Sequence, residues 1–397
     1  MSARGHQSLS GADFRLVTRR EELEELEGEW RALLAASFSA EPMLDPHWLV
    51  TWWRHYGRDR ELAVGLFYDK GALVGLAPLC RRRYRYCPGM TYRRLEFLGA
   101  GYDEQDGVCS DYLGLIAKRG SCNYVTDAFV RRLMDGSFGP WDECLLQMME
   151  AAHPVAARLR ATLAAAGLSF EESVLAQAPF MTLPESWADF IGTLSKKRRQ
   201  SLHYAMRDFQ EWADSTPGGW SVERARDEAS LNTGFRALSA LNAARWNAEG
   251  AAGAFASDRF LAFHKDYASK LPADGRLELA WLTVGGKPVA AIYCLLANRK
   301  IYFYQSGRVM DVPGKVRLGI VMLIVTLQEA IRNGYREFDF LGGEAQYKRL
   351  FATGSRDLIG VRIARPTARE SLRKRLKAIR NRLRASENSR EALEPAV

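Results

Sequence analysis

The sequence contains no apolar run long enough to cross a bilayer. Its longest run, Leu318–Val325, is far shorter than the roughly 20 residues that a spanning helix needs. The opening segment, MSARGHQSLSGADFRLV, also lacks the apolar core that a secretory signal requires. We therefore expect a cytoplasmic protein without a transmembrane segment.

Several catalytic and metal-binding signatures are absent as well. The six cysteines form no Cys-x-x-Cys pair and the six histidines show no metal-like spacing, so we expect no metal site. There is no Gly-x-Ser-x-Gly elbow, Walker-type loop or dinucleotide fingerprint. These absences argue against the commonest hydrolases, kinases and dehydrogenases.

Most of the chain has little net charge. The formal net charge is +9, and residues 361–397 supply +7 of it, with eleven Arg and Lys against four Glu. The remainder is close to neutral. A nucleic-acid-binding core should carry its basic surface on the folded body, so we expect no DNA partner.

The chain is long enough for two domains of ordinary size, and it contains a repeated pattern. YDKGALVGLAPL and VGGKPVAAIYCL place a strand, a Gly-containing turn and a second strand in the same order, about 215 positions apart, which suggests duplication. We predict domains over residues 1–175 and 176–365, followed by a tail over 366–397. The first copy lacks a Gly-rich phosphate loop before its helix, so we interpret it as degenerate. Its Asp111 and Tyr112 either contact an acceptor or merely end a strand.

The second copy has the clearer order of elements. Apolar segments over 277–281, 288–296 and 301–306, with a Gly-Gly turn after the first, predict three strands. The polar loop GRVMDVPGK then leads to a predicted helix over 316–332, which an Asn-Gly pair should end. YREFDFLGGEAQYKRLF follows, and it predicts a strand that ends in a Gly-Gly and a cluster of ionisable groups.

This order, with PGKVRLG before the helix and DFLGGEAQYKRLF after it, resembles the acyl-CoA-binding half of the GNAT acetyltransferases. More specifically, it looks like the GNAT-like acetyltransferases found beside cellulose and exopolysaccharide biosynthesis functions. It is more distantly similar to the Fem-type transferases, which add amino acids from aminoacyl-tRNA to peptidoglycan precursors.

The resemblance implies an α/β fold of tandem GNAT-like domains, each a mixed, mostly antiparallel sheet flanked by helices. It implies acetyl-CoA or another acyl-CoA as co-substrate. The acyl group would pass to the amine or hydroxyl of a small-molecule or saccharide acceptor, in exopolysaccharide or cell-envelope biosynthesis. The alternatives are a Fem-like, aminoacyl-tRNA-dependent transferase and a non-catalytic binding protein that keeps the fold.

The segment PGKVRLG contains the candidate residues for donor binding. Backbone N–H groups at a helix N-terminus suit a pyrophosphate. Gly314 would allow close approach, Lys315 and Arg317 would supply charge, and Gly319 lies one turn into the helix. The segment departs from the usual family pattern of Gln or Arg, two variable residues, Gly, one variable residue, and Gly or Ala. That departure leaves the identity of the acyl donor open.

Proton transfer needs ionisable groups beside the reacting atoms. The candidate catalytic residues are Asp339, Glu344, Tyr347 and Lys348. Asp339 lies in an apolar strand, where a carboxylate needs a partner or a raised pKa. The alternative is a buried pair that only fixes the end of the strand.

Candidate acceptor contacts come from two further segments. Arg245 and Trp246, in a segment that we interpret as a flexible loop, could grip an anion and stack on a sugar, and the relatives have an Arg-Trp pair in a similar place. Arg198 and Arg199 belong to a run of cations in the first turn of a helix capped by Ser195, where the helix dipole disfavours them. Either an anionic ligand or lipid surface compensates, or the run is a solvated face.

The tail predicts a basic amphipathic helix. Leu372, Leu376, Ile379 and Leu383 recur at helical spacing among Arg and Lys residues. Such a helix can lie on an anionic membrane, which would place the protein peripherally at the inner face. It could equally dock on the body through its Leu stripe.

Overall fold

The computed structural model describes residues 13–101, 106–248, 250, 253–343, 348 and 351–391, with the side chains of the last helix described up to residue 379. The strands in these residues are β1 (Phe14–Val17), β2 (Arg60–Leu62), β3 (Val64–Asp69), β4 (Ala72–Ala77), β5 (Leu79–Cys87), β6 (Met90–Phe97), β7 (Ile116–Ala117), β8 (Glu143–Glu150), β9 (Phe170–Thr182), β10 (Trp220–Arg224), β11 (Leu277–Val284), β12 (Lys287–Ala297), β13 (Lys300–Arg308), β14 (Glu337–Asp339) and β15 (Gly354–Ala364). The α-helices are α1 (Arg20–Glu25), α2 (Glu27–Ala35), α3 (Pro46–Tyr56), α4 (Cys122–Met134), α5 (Pro154–Ala165), α6 (Trp187–Thr193), α7 (Lys196–Asp214), α8 (Glu228–Ala248), α9 (Asp258–Ala268), α10 (Leu318–Arg332) and α11 (Ala368–Glu391). Two short 3₁₀ helices occupy Pro42–Leu44 and Ala254–Ala256.

The strands form two sheets. A four-stranded sheet has the order β1-β3-β4-β7, and an eleven-stranded sheet has the order β10-β11-β12-β13-β14-β9-β15-β8-β6-β5-β2. Among the described strands only β13–β14 and β6–β8 pair in parallel. This mixed, mostly antiparallel arrangement with flanking helices confirms the predicted fold class.

The eleven-stranded sheet contains the same unit twice. In one copy α4 connects the parallel strands β6 and β8, and in the other α10 connects β13 and β14. The eight central strands read alike from both ends, because β5-β6-β8-β15 corresponds to β12-β13-β14-β9. The copies exchange their last strands: β9 pairs with β14, and β15 pairs with β8. The predicted boundary at residues 175 and 176 falls inside β9, and the boundaries stay a prediction.

Helix α10 is buried on most of its surface. Nine of its fifteen residues are buried, and it packs between the strands β12 and β13 and the helices α6 and α7. It begins two residues later than the sequence predicts and ends at Arg332. Gly334, two residues after this end, has a φ of 74°. This left-handed conformation favours glycine, so the predicted helix end is confirmed.

Helix α8 corrects one prediction. Arg245 and Trp246 lie in its last turns, not in a flexible loop. The Ala-rich sequence favours a helix there, and the helix lies close against β13, since the Asn242 amide donates a 2.8 Å hydrogen bond to the Ser306 carbonyl. A Cβ added at Gly307 would come within 2.3 Å of the Asn242 backbone nitrogen.

Helix α11 corrects another. The suggestion that it docks through its Leu stripe is wrong for the described side chains, because Leu372, Leu376 and Ile379 are 51%, 43% and 53% exposed. Its polar edge faces the body instead, where Glu370 and Arg373 are buried.

The described residues lack both a membrane-spanning helix and a metal-binding cluster. No helix among them is both long and apolar enough to span a membrane. No group of three or more His, Cys, Asp or Glu side chains in the same part of the chain is placed to hold a metal ion.

Candidate functional site

The site begins where β13 and β14 separate. The two strands pair over only three positions, from Lys300 with Glu337 to Tyr302 with Asp339. Beyond them β13 continues to Arg308, whereas the Phe340 amide donates a 2.9 Å hydrogen bond to the Pro179 carbonyl. The two strands therefore part, and a gap opens in the sheet.

A β-bulge in β13 lies next to this gap. Tyr293 pairs with Gln305 and Cys294 with Phe303, so Tyr304 is the extra residue between them. The Tyr304 hydroxyl is fully buried and has no hydrogen-bond partner among the described residues. Burial raises its pKa well above the ordinary value, so it stays a hydrogen-bond donor at neutral pH.

One face of the gap opens into a cavity of about 350 Å³. Its apolar walls come from β12, β13 and α10, and Phe303 and Met322 belong to them. Three guanidinium groups line it as well, those of Arg245, Arg308 and Arg317. An elongated molecule with an apolar part and an anionic part would match these walls.

The N-terminus of α10 opens at this cavity. No side chain of the described residues caps its first turn, so backbone N–H groups there remain suitable donors for an anion. Gly319 lines the cavity, and the nearest described atom to a Cβ built on it is the Arg308 Cδ, at 3.8 Å. Arg317 is fixed by α7, because it donates hydrogen bonds to the Ser201 hydroxyl at 2.9 Å and the Ser201 carbonyl at 2.5 Å.

The other two residues predicted to bind the acyl donor, Gly314 and Lys315, come just before the segment that lines the cavity. The Lys315 ammonium is exposed and pairs with Glu211 at 2.8 Å. A Cβ built on Gly314 meets no described atom within 4 Å, and the φ of Gly314 is not positive. Within the described part of the chain, neither packing nor backbone conformation thus requires glycine at position 314.

The opposite face of the gap carries a buried carboxyl group. Asp339 is 1% exposed and accepts hydrogen bonds from the Tyr112 hydroxyl at 2.5 Å and the Leu341 amide at 2.7 Å. The Arg356 guanidinium donates a third at 3.2 Å. Burial raises the pKa of Asp339 to about 7, although its three donors act in the opposite direction.

A second carboxyl and an amine lie beside it. Asp111, also buried, accepts a 2.6 Å hydrogen bond from the Gly342 amide. The Lys348 ammonium donates to the Leu341 and Gly342 carbonyls at 3.3 and 3.0 Å. Burial lowers the pKa of Lys348, whereas the nearby Asp111 and Asp339 raise it. The structure thus brings together two of the candidate catalytic residues, Asp339 and Lys348. Asp111, a candidate acceptor contact from the first copy, lies beside them.

Two predicted catalytic residues, Glu344 and Tyr347, lie outside the described residues. The Gly-Gly before them is described, and Leu341 next to it has a φ of 56°. A left-handed conformation is uncommon for leucine, and it turns the chain sharply at the end of β14.

Arg245 belongs to the cavity wall. Its charge also lowers the pKa of Lys348. Its guanidinium lies 5.0 Å from the ring centroid of Trp246, so the predicted Arg-Trp pair is in contact. Phe303 lines the cavity, and the residue before it in β13 pairs with Asp339, so the cavity and the carboxyl cluster are neighbours in the sheet.

Arg198 and Arg199 lie elsewhere. Ser195 caps α7 as predicted, accepting from the Arg198 amide at 3.4 Å, and both arginine side chains are exposed. Arg199 donates to the Leu194 carbonyl at 2.7 Å and lines a separate open groove between α6, α7 and α10. Neither arginine lines the cavity at α10.

Sequence reasoning missed Arg356 and Tyr304. Arg356 also pairs with Glu337 at 2.7 Å and lies over the Phe180 ring at 3.9 Å. An arginine in a strand of alternating polar and apolar residues is ordinarily a surface residue. Arg356 has buried partners because the strand exchange places β15 two strands from β14. The bulge that sets Tyr304 apart likewise has no mark in the sequence.

Residues 196–349 match a family described as an acetyltransferase (GNAT) domain. This range includes the cavity, α10 and Asp339. Over residues 196–349 the chain is thus similar to the GNAT acetyltransferase domain, in agreement with the predicted resemblance. No curated protein matches the chain.

Solved structures share the fold over most of the chain. FemX superposes with a TM-score of 0.56 at 11% identity, covering 84% of this chain and 95% of its own. A conserved protein of unknown function from Bacteroides thetaiotaomicron VPI-5482 gives 0.53 at 11% identity, with 88% and 100% covered. L-PGS from Bacillus licheniformis gives 0.50 at 14% identity, with 84% and 90% covered. At such identities the likeness shows the fold alone.

Proposed function

We propose that this protein transfers an acyl group from an acyl-CoA, such as acetyl-CoA, to an amine or hydroxyl of a small-molecule or saccharide acceptor. The observation that supports this best is the gap between β13 and β14. It has a cavity with an uncapped helix N-terminus on one face and a buried carboxyl cluster on the other.

The cavity suits the donor. A pantetheine arm would lie along the apolar walls that include Phe303, and the phosphates would meet the first turn of α10 with Arg308 and Arg317 beside it. The thioester would then reach the gap, next to the carboxyl cluster.

The carboxyl cluster suits the proton transfer. The acceptor nitrogen or oxygen attacks the thioester carbonyl and forms the new C–N or C–O bond, and the C–S bond breaks. Asp339 takes the acceptor's proton, directly or through the Tyr112 hydroxyl that donates to it. A pKa of about 7 lets it accept and release a proton at neutral pH. The buried Tyr304 hydroxyl is a donor for the carbonyl oxygen or the leaving sulfur.

The acceptor is proposed from the resemblance and from Arg245 and Trp246. A guanidinium and an indole in contact can bind an anionic group and stack on a sugar ring. Together with the likeness to GNAT proteins of exopolysaccharide biosynthesis, this favours a saccharide acceptor in polysaccharide or cell-envelope biosynthesis.

Filling the cavity tests the donor assignment. Gly319→Leu places a side chain in the cavity with no described atom closer to its Cβ than 3.8 Å. Leucine also favours a helix over glycine by up to about 1 kcal/mol, so the fold should persist. Gly28→Leu is the matched control, since Gly28 lies in α2 with no described atom within 4 Å of a built Cβ.

The measurement is thermal stabilisation by a panel of CoA thioesters, with transfer of radiolabel from the same thioesters. A ligand that binds the native state raises the melting temperature. We expect stabilisation in the wild type and in Gly28→Leu and its loss in Gly319→Leu. Stabilisation of Gly319→Leu equal to that of wild type would refute the cavity as the donor site. Transfer from aminoacyl-tRNA instead would establish the Fem-like alternative, and binding without transfer the non-catalytic one.

A further inference from the structure

The C-terminal helix α11 leaves its apolar stripe uncovered because its polar edge holds it to the body. Glu370 accepts two 2.8 Å hydrogen bonds from the Arg362 guanidinium and bonds at 2.9 and 2.8 Å from Arg373. Arg373 and Lys377 also reach Glu171 on β9, at 2.6 and 3.0 Å. These contacts set the rotation of the helix about its own axis.

With that rotation, the stripe faces solvent. Leu372, Leu376 and Ile379 follow one another at four and three residues, and each is about half exposed. They lie on one side of the helix, away from the buried Glu370 and Arg373. The sequence continues the same stripe at Leu383.

Cations border the stripe. Arg375 is three residues from Leu372 and four from Ile379, so it lies beside both on the helix surface, and it is exposed and forms no ion pair with the described residues. Residues 368–391 contain nine Arg and Lys against three Glu, a formal charge of +6. An apolar strip with basic edges, parallel to the helix axis, can lie flat in the headgroup region of an anionic bilayer.

We propose that α11 binds the surface of an anionic phospholipid membrane through this stripe and its flanking cations. Charge decides against a second copy of the chain as the occupant: two such stripes placed face to face would bring Arg and Lys edges together. Anionic headgroups would neutralise them. The inference is independent of the acyl-transfer proposal.

The test is sedimentation of the full chain with vesicles of phosphatidylcholine alone and of phosphatidylcholine mixed with phosphatidylglycerol. We expect binding to the mixed vesicles only, weakened by salt. A stripe variant combines Leu372→Ser, Leu376→Ser and Ile379→Ser. Because it removes most of the apolar insertion, its partition coefficient should fall at least tenfold.

The control for the stripe is Phe38→Ser with Met134→Ser. These side chains are 50% and 49% exposed and lie outside α11. They match the stripe in exposure, and the pair should bind vesicles as the wild type does. Thermal unfolding of every variant checks that the body is intact.

The cations are tested separately. Arg375→Gln removes one charge beside the stripe, worth about 1 kcal/mol near an anionic surface, so the partition coefficient should fall about fivefold. Arg58→Gln, at an exposed position outside α11, is the matched control and should change little.

Three results would overturn the proposal. They are equal binding to neutral and anionic vesicles, wild-type binding by the stripe variant, and a dimer in analytical ultracentrifugation that the stripe variant abolishes while no vesicle binding is seen. The last would show that the stripe joins copies of the chain.

Discussion

The buried carboxyl of Asp339 makes a prediction about stability as a function of pH. Its pKa is raised from an ordinary 3.8 to about 7 by burial. The folded state therefore binds the proton more tightly than the unfolded state. The stability that this proton gives is complete below about pH 4 and is lost as the pH rises towards about 7.

The size of the effect follows from the two pKa values. The difference between 3.8 and about 7 corresponds to roughly 4 kcal/mol in the free energy of unfolding, at 1.36 kcal/mol for each tenfold change. Asp339→Asn cannot ionise, and its amide oxygen can still accept from the Leu341 amide. Relative to this variant, the wild type should lose up to about 4 kcal/mol between about pH 4 and pH 7 and little above.

Urea unfolding of both proteins across this range measures the difference. Turnover should rise with pH through about 7 in the wild type, and Asp339→Asn should lower it on the order of a hundredfold. Glu337→Gln is the control, because Glu337 lies in β14 like Asp339 and also pairs with Arg356. An unfolding difference that does not change with pH would mean that Asp339 stays ionised throughout. The role of Asp339 as a base with a pKa near neutrality would then be refuted.

Two further predictions concern packing and docking. Gly307→Ala should destabilise the protein by roughly 1–3 kcal/mol, because its Cβ would lie 2.3 Å from the Asn242 nitrogen. Gly192→Ala, with open space around a built Cβ, should not, and urea unfolding compares them. Burial would raise the pKa of Glu370, but the hydrogen bonds from Arg362 and Arg373 outweigh it and lower the pKa to about 2. The stabilisation that Glu370 gives to α11 docking should thus be complete above about pH 4.5 and lost as the pH falls towards 2. Hydrogen exchange in α11 should become faster over this range. In Glu370→Gln the exchange should be fast at all pH values.

Local signals in the sequence predicted helix α10 well. An uninterrupted apolar segment and an Asn-Gly end define α10, and these depend on neighbouring residues only. A carboxyl in an apolar strand needs a partner or a raised pKa, and Asp339 indeed accepts hydrogen bonds from three donors. Periodicity carries such information because helix and strand place side chains at fixed intervals.

What the sequence did not reveal depends on contacts between distant segments. Arg356 reaches Asp339 because β15 and β14 lie on either side of β9, an arrangement that follows from the exchange of strands between the copies. The orientation of α11 also depends on contacts between distant segments. Its Leu stripe was evident, but Arg362 and Tyr92 on the body offer Glu370 buried partners, and they turn the polar edge inwards.

The exchange also explains how two copies can make one site. In the parallel pairing of β6 and β8, Leu145 occupies the third position, which Asp339 occupies in the pairing of β13 and β14. The first copy thus has a leucine, not an aspartate, at this position of β8. It supplies instead the loop after β6, whose Asp111 and Tyr112 contact Gly342 and Asp339 in the second copy. Because β9 and β15 each complete the other copy's sheet, these contacts are held at fixed distances, and neither half of the chain contains the whole site.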